Sequence, residues 1–268
     1  MCNSEYTYLK GYAHGKGYED LKRALVLARE LHEGQYRKAS KGEEKLPYIT
    51  HPIRVASHLM SLGVDDEKTL ITAIMHDTYE DCDITLEGLK EQGIPVGAVV
   101  AINLVSYIGG KGNAKALEAH YKEMVSNPRA VLVKLSDRCH NMSTMMGAFS
   151  NEKVLKYVEE TEIYIIPMAK KAKDIHPQYS NQIVAMRHEL EAICELVKGL
   201  LRNEVKSVFF ISDDQADSIY RADLLEDGDM MQYLVKNVGD MQTKSYQYPI
   251  SRKEWEKRVK NETYTVIG

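Results

Sequence analysis

The sequence predicts a mainly α-helical protein, with one large helical domain and a small C-terminal appendage that mixes helix and strand. Three observations favour this fold class. Apolar residues recur at three- and four-residue spacing to about residue 200, capping and helix-ending residues stand between these runs, and a β-branched and aromatic run follows residue 203. We therefore divide the chain into a lead-in at 1–17, a helical domain at 18–200 and an appendage at 201–268.

Length and composition exclude several classes of protein. The 268 residues, 44% hydrophobic and 28% charged, are ordinary for a globular chain that can bury a large core. A formal net charge of −4 argues against bulk binding to nucleic acid or membranes, so an anionic ligand needs a local basic patch. The four cysteines show no CxxC spacing and the chain opens with no signal-peptide pattern, which favours a reducing cytoplasm.

The helices of the large domain follow from apolar spacing and from residues that begin or end helices. Residues 1–17 have no period and are expected to be loose. Asp65, Thr85 and Ser150 suit the starts of helices, Gly34 suits an end, and Pro167 predicts a kink. The expected helices span 18–32, 52–63, 66–81, 86–92, 95–107, 114–125, 128–142, 151–173 and 176–200.

The appendage has a different texture. Residues 205–211 are β-branched and aromatic enough for a strand, Asp213 and Asp214 mark a turn, and a helix is expected over 230–238. Ser251 and Glu254 form a capping box, which predicts a short basic helix containing Trp255.

The most informative stretch is Met75–Asp81, at the end of the helix predicted for 66–81. At roughly 100° per residue, positions four apart nearly eclipse, so Glu80 stacks over His76 and Asp81 over Asp77. Such an arrangement lets one pair bind a divalent ion while the next turn acts on water. An imidazole beside a carboxylate suits Mn, Fe or Zn better than Ca or Mg. The alternative is an exposed end of an amphipathic helix.

Two ligands are too few for a metal site, and two other segments offer more. His51 precedes Pro52 at a helix entrance, where it serves either as a cap or as a third ligand. Asp137 lies in an apolar helix, where an unpaired acid is costly. It is either paired with Arg138 and Lys134 or a fourth ligand.

Two loops offer cations for an anionic substrate. Arg37 and Lys38 lie in the polar segment 35–45, and a guanidinium can fork onto phosphate or stack on a base. Lys111 lies in the glycine-rich loop 109–113, which lacks the closing Gly-Lys-Ser/Thr of a P-loop. Solvated surface and a simple helix connection are the alternatives for these loops.

These motifs together resemble a known family. The order of His51, then His76-Asp77, then Asp137 resembles the HD metal-dependent phosphohydrolases, whose domains are all-helical. The flanking segments resemble the hydrolase domain of the RelA/SpoT homologues, of the small alarmone hydrolase type, over residues 18–197. The segments that carry this resemblance are QYRK at 35–38, PYITHP at 47–52, HDTYED at 76–81 and VKLSDRCHNM at 133–142.

The resemblance implies an enzyme that hydrolyses (p)ppGpp at its 3′ position, with one Mn²⁺ ion per chain, releasing pyrophosphate with GDP or GTP. It implies that Glu80 and Asp81 orient and activate the attacking water. The implied metal ligands are His51, His76, Asp77 and Asp137, and the implied substrate contacts are Arg37, Lys38, Lys111 and Asn141.

The chain departs from the family pattern at three places. Cys82 stands where the family commonly has Thr, Ser143 stands where it commonly has Arg, and the loop 39–46 is longer than in compact members. These departures leave open another 3′-phosphorylated nucleotide, such as (p)ppApp or NADPH, as substrate. A different class of function, an antitoxin or regulatory protein that binds a partner through Phe209, Phe210 and Trp255, also stays open, as does a homo-oligomer.

Overall fold

The computed structural model describes residues 2–40, 42, 44–107, 114–203, 208–212, 215–224, 230–237, 247–261 and 264–266. The chain divides into two compact units, Met1–Lys198 and Gly199–Gly268. Helices fill the first unit, and the described strands all belong to the second. The predicted fold class, a helical bundle with a small α+β appendage, is confirmed.

Twelve described α-helices run from the N-terminus to residue 203. Their bounds are α1 Cys2–Lys16, α2 Glu19–Leu31, α3 Thr50–Ser61, α4 Glu67–Met75, α5 Thr78–Asp81, α6 Leu86–Glu91, α7 Val96–Val105, α8 Ala114–Met124, α9 Pro128–Thr144, α10 Asn151–Glu160, α11 Ile166–Ile175 and α12 Ser180–Asn203.

The helix α4 lies at the centre of the bundle. Every residue from Thr69 to Met75 is buried, and α4 packs against α2, α3, α7 and α9. Burying an aliphatic side chain contributes about 1.5–3 kcal/mol, so this helix is a major source of stability. The residues that follow Met75 are therefore held in place by the core of the protein.

The expectation of a loose segment at 1–17 is wrong, because residues 2–16 form α1. Leu9 and Ala13 are four apart and fully buried, which anchors one face of the helix. Its polar face is tied down as well, since Tyr12 and Lys16 both hydrogen-bond to the carboxylate of Asp65. The sequence did not predict this helix because glycines surround Leu9 and Ala13.

The helix predicted over 66–81 differs from the structure at both ends. Asp66 rather than Asp65 is the N-cap, because its carboxylate accepts a hydrogen bond from the backbone N of Thr69. The helix also ends at Met75, and α5 begins at Thr78. The Thr78 hydroxyl donates to the carbonyl of Met75 at 2.7 Å, which competes with the helical pattern there.

The helix predicted over 151–173 contains a π-helical segment, Thr161–Ile165, between α10 and α11. Pro167 lacks the N–H that would donate to the carbonyl four residues earlier, and its ring crowds that carbonyl. A π segment next to the proline accommodates both effects. Ser150 caps α10 as expected, with its hydroxyl accepting from the backbone N of Lys153.

The second unit contains a five-stranded antiparallel sheet in the order β4-β3-β2-β1-β5. Residues 230–237 form a strand of this sheet, so the helix expected at 230–238 is wrong; pairing on both sides overrides a weak local preference. The predicted capped helix is present, with Ser251 as its N-cap. The predicted turn at Asp213-Asp214 lies outside the described residues. The bounds are β1 Val208–Ser212, β2 Gln215–Leu224, β3 Met230–Asn237, β4 Gln247–Ile250, α13 Arg252–Lys260 and β5 Tyr264–Val266.

Within the described residues, no helix has both the length and the apolar composition that crossing a bilayer requires.

Candidate metal centre and adjoining cavity

Four predicted donors from three separate segments meet at one point. His51 lies in the first turn of α3, His76 and Asp77 occupy the break between α4 and α5, and Asp137 lies in α9. The His51 Nε2 atom is 3.3 Å from His76 Nε2 and 3.1 Å from Asp137 Oδ1. The Nε2 atom of His76 is 3.1 Å from Asp77 Oδ1 and 3.6 Å from Asp137 Oδ1.

Both imidazoles present Nε2 to this cluster because other contacts occupy Nδ1. The Nδ1–H of His76 donates to the carbonyl of Ala73 at 2.9 Å, so Nε2 is the ring nitrogen that faces the cluster. The Nδ1 atom of His51 lies 2.7 Å from Nδ1 of His140. Fixing the outer nitrogen of a histidine in this way is typical of metal ligands. Two imidazole nitrogens and two carboxylates at these distances fit a divalent metal ion.

The charges in the cluster are strongly coupled. Burial lowers the pKa of His51, although hydrogen bonding to Asp137 opposes it. Burial also acts to lower the pKa of His76, but the carboxylates of Asp77 and Asp137 outweigh it and raise that pKa to about 9. Despite burial, hydrogen bonds from the two imidazoles hold the pKa of Asp137 well below its ordinary value. Two anionic carboxylates at neutral pH therefore face the two rings.

Glu80 and Asp81 stand beside the cluster in α5. The carboxylate of Glu80 accepts a hydrogen bond from the backbone N of Tyr107 at 2.6 Å, and the pKa of Glu80 is raised by burial. Burial, and then the charge of Asp77, raise the pKa of Asp81. The Tyr48 hydroxyl donates to Asp77 at 2.7 Å and lies 3.3 Å from Asp81, so this tyrosine links the two carboxylates.

The alternative role of Asp137, an ion pair with Lys134 and Arg138, is present in part. The ammonium of Lys134 lies 3.6 Å from Asp137 Oδ2, on the other carboxylate oxygen from the one facing the imidazoles. Arg138 does not pair with Asp137 but forms an ion pair with Glu160. Asp137 can therefore keep Lys134 as a partner while it offers Oδ1 to a metal.

The predicted basic loop is held at both ends. Tyr36 and Pro47 form an antiparallel bridge, and the backbone N of Arg37 donates to the carbonyl of Leu46 at 2.8 Å. Gly147, with φ of 77°, closes against this loop, since a Cβ atom there would lie 2.6 Å from the hydroxyl oxygen of Ser40. This close approach fixes the loop against the end of α9.

A chain of hydrogen bonds links the basic loop to the metal cluster. Arg37 Nη2 donates to Asn141 Oδ1 at 2.9 Å, and Asn141 Nδ2 donates to Asp137 Oδ1 at 2.6 Å. The ammonium of Lys38 lies 5.3 Å from the ring centroid of Phe149. The structure thus brings three of the four predicted substrate contacts to one side of the cluster. Lys111, the fourth, lies outside the described residues.

A cavity of about 290 Å³ lies on the far side of His140, whose Nδ1 atom contacts the metal donor His51. Arg37 and Lys38 line it, together with two residues for which no role was predicted, Arg54 and His140. Arg54 lies one helical turn after His51 on α3, so helical spacing from a suspected ligand is the signal that could have found it. His140 follows Asp137 by three residues, which is the same kind of signal. The cavity therefore has three cationic side chains, and His140 connects its wall to the metal donor His51.

A family model for the HD domain matches residues 24–173, which is more than half of the 268-residue chain. The chain belongs to the HD-domain family. All four donor residues, and Glu80 and Asp81, fall within the matched range of this HD-domain protein.

Curated relatives match the same part of the HD-domain protein. One from Aquifex aeolicus, named guanosine-3′,5′-bis(diphosphate) 3′-pyrophosphohydrolase, is 38% identical over 157 residues, covering 56% of this chain and 21% of the relative. Another from Mycobacterium leprae, named probable GTP pyrophosphokinase, is 35% identical over 154 residues, covering 56% of this chain and 19% of the relative. The chain thus matches about a fifth of the length of these relatives.

A solved structure described as a metazoan ortholog of SpoT that hydrolyzes ppGpp aligns with 68% of the HD-domain protein and 96% of its own chain. The sequence identity is 21% and the TM-score is 0.49.

Proposed function

We propose that this HD-domain protein is a Mn²⁺-dependent hydrolase of the cytoplasm that removes the 3′-pyrophosphate from (p)ppGpp, giving pyrophosphate with GDP or GTP. The observation that carries the proposal is the convergence of four inward-facing donor atoms with two carboxylates of raised pKa beside them. The name of the Aquifex relative, which shares 38% identity over the matched segment, supports the choice of reaction.

In this proposal one Mn²⁺ is held by two imidazoles and two carboxylates. Imidazole and carboxylate together suit Mn²⁺, and the Nε2 and Oδ1 atoms already lie 3.1–3.6 Å apart. When bound, such an ion lowers the pKa of water from ~15.7 toward ~7 and neutralises phosphate charge. The proposed ligands are His51, His76, Asp77 and Asp137.

Asp81 is the proposed general base. Its raised pKa makes it a better proton acceptor near neutral pH than an ordinary aspartate, and Tyr48 holds it in place. Glu80, fixed by the backbone N of Tyr107, orients the attacking water.

The reaction balances around these two residues. The water oxygen bonds to the phosphorus attached to the 3′ oxygen while that phosphorus–oxygen bond breaks. Asp81 accepts a proton from the water and returns it to solvent, while the 3′ oxygen takes up one proton from solvent and leaves as a hydroxyl. The water oxygen ends in the released pyrophosphate.

The cavity is the proposed site for the nucleotide. Arg37, Lys38 and Arg54 line it, and such cations neutralise phosphate groups and fix their orientation. Arg37 also donates to Asn141, and Asn141 donates to Asp137. These two hydrogen bonds fix the position of the loop, and of a substrate bound to it, relative to the metal cluster. We propose that Arg54, which lies on a different helix, compensates for the arginine that the family commonly has where this chain has Ser143. We also propose that Lys111 contacts the pyrophosphate.

The test is product analysis with purified protein and Mn²⁺. We expect pyrophosphate and GDP from ppGpp, identified by mass. Asp81→Asn should still bind metal but lose ~10²–10⁴-fold in turnover, the usual contribution of a general base. Near-full turnover by this variant would show that Asp81 does not have the assigned role.

A second candidate is hydrolysis of another 3′-phosphorylated nucleotide, such as (p)ppApp or NADPH. The observation that favours it is the makeup of the cavity, where the long loop contributes Ser40 and Glu44 and where Arg54 comes from a different helix than the family's usual arginine. A mixture of ppGpp, ppApp and NADPH in one reaction, followed by product masses, separates the candidates. Preferential consumption of ppGpp supports the first proposal.

We also propose that residues 18–200 carry the activity and that the appendage at 201–268 serves a protein partner or a second copy of the chain. The side chains of Phe209 and Phe210 lie outside the described residues, whereas Trp255 lies on α13. A protein lacking 201–268 should keep hydrolysis and lose its partner. Loss of hydrolysis with a folded helical domain would contradict this division.

A further inference from the structure

A second group of metal-binding side chains lies away from the HD cluster, on a different face of α9. His58 comes from α3, Cys139 from α9 and Glu189 from α12. One donor atom from each lies within 4.8 Å of the other two. Thiol, imidazole and carboxylate from three helices therefore converge at a point that the proposed hydrolysis does not use.

Hydrogen bonding determines which way the imidazole of His58 presents its lone pair. The hydroxyl of Ser136 lies 3.0 Å from the carbonyl oxygen of Val55, and only the hydroxyl can supply the proton between these two oxygens. Ser136 must then accept from Nδ1–H of His58, which lies 3.1 Å away. A neutral His58 therefore directs the lone pair of Nε2 outward.

That lone pair faces another acceptor. The Nε2 atom of His58 is 3.3 Å from Oε2 of Glu189, so two atoms that can bind a metal ion face each other. The buried sulfur of Cys139 lies beside the same two atoms, and its thiol donates to the carbonyl of Met186 at 3.6 Å.

We propose that His58, Cys139 and Glu189 bind a second divalent metal ion, of the zinc class, that joins α12 to α3 and α9. Zinc prefers thiolate, imidazole and carboxylate in four-coordinate sites, and water can complete such a set. The side chain of Glu189 is 42% exposed, which leaves room for that water and a path for the ion. On binding, the thiol proton of Cys139 leaves to solvent and sulfur bonds to the metal.

Ligand chemistry distinguishes this site from the HD cluster. The HD cluster offers only nitrogen and oxygen, whereas the second site offers sulfur. Cobalt substituted for zinc gives a thiolate-to-cobalt charge-transfer absorption only where sulfur is a ligand. The full-length protein, depleted of metal and titrated with Co²⁺, should therefore develop this absorption together with d–d bands of four-coordinate cobalt.

Variants assign the absorption to the proposed residues. Cys139→Ser should abolish it and reduce the bound metal by one ion per chain, while Cys194→Ser, which removes another buried thiol, should leave it unchanged. Glu189→Gln, on a partly exposed side chain, tests the site without disturbing the core and should weaken Co²⁺ binding at least tenfold. His51→Ala should remove metal from the HD cluster but keep the charge-transfer absorption.

The result that overturns the proposal is the absence of this absorption in the parent protein at saturating Co²⁺, or its persistence in folded Cys139→Ser. Either outcome leaves the contact between His58 and Glu189 as the whole role of this group. Neither outcome bears on hydrolysis of (p)ppGpp, because the absorption is measured without substrate.

Discussion

Replacing Arg54 with glutamine should raise the KM for (p)ppGpp by about 5- to 30-fold. Arg54 lines the cavity with Arg37 and Lys38, and its Nε lies 3.4 Å from each carboxylate oxygen of Glu5, a weak contact that a phosphate can replace. A hydrogen bond to a charged group contributes ~1.5–3 kcal/mol. Because the side chain is 31% exposed, screening reduces this to about 1–2 kcal/mol, and ~1.4 kcal/mol is a factor of ten.

The assay is the initial rate of pyrophosphate release across a range of ppGpp concentrations. We expect kcat to stay within about twofold, since Arg54 lies in the cavity and not beside Glu80 and Asp81. Arg54→Lys should recover part of the loss. Arg23→Gln, on an exposed arginine paired with Asp20, is the matched control and should behave as the parent protein.

An unchanged KM in folded Arg54→Gln would refute the reasoning, because it would mean that no phosphate reaches this guanidinium. A large fall in kcat at constant KM would contradict it as well, since the side chain would then act on the reacting atoms. Thermal unfolding of each variant separates both results from a loss of structure.

Two further perturbations test the centre and the bundle. Tyr48→Phe removes the hydroxyl that donates to Asp77 at 2.7 Å and lies 3.3 Å from Asp81. Because this hydroxyl orients both carboxylates, kcat/KM should fall about 10- to 100-fold in the variant. A kcat/KM above half that of the parent protein would show that the hydroxyl orients neither carboxylate. Asp66→Ala removes the N-cap of α4 and the partner of Arg129, so urea unfolding at pH 7 should show a loss of about 1–2 kcal/mol. Although burial opposes it, hydrogen bonding to Arg129 lowers the pKa of Asp66, so this contribution is complete above pH ~4 and is lost as pH falls through the lowered pKa. The difference between parent and variant should therefore shrink toward pH 3, and a constant difference would argue against the ion pair.

Local sequence predicted the parts of this protein that local physics controls. The caps at Thr85, Ser150 and Ser251 and the buried stripe of α2 depend on residues within a few positions of each other, and the structure has them. The meeting of His51 with Asp137 depends on packing of α3 against α9, which spacing alone does not determine. The order of the motifs, which resembles that of the HD phosphohydrolases, predicted that these two residues meet.

What the sequence could not predict depends on competition between distant groups. The break after Met75 arises because the hydroxyl of Thr78 reaches a carbonyl that a regular helix would use otherwise. His140 is an ordinary helical residue until folding brings its Nδ1 atom within 2.7 Å of His51. Arg54 likewise needs the long loop to close over α3 before it faces a cavity.

The central claim is that the four donors of the HD cluster hold one ion on which hydrolysis depends. The most direct measurement is pyrophosphate release from ppGpp by protein stripped of metal and then titrated with Mn²⁺, with bound Mn²⁺ measured in parallel for the parent protein and Asp137→Asn. We predict that activity is absent without metal, rises with the binding of one Mn²⁺ at this cluster, and is lost with that ion in Asp137→Asn. Full activity after metal removal, or unchanged Mn²⁺ binding and turnover in Asp137→Asn, would contradict the account.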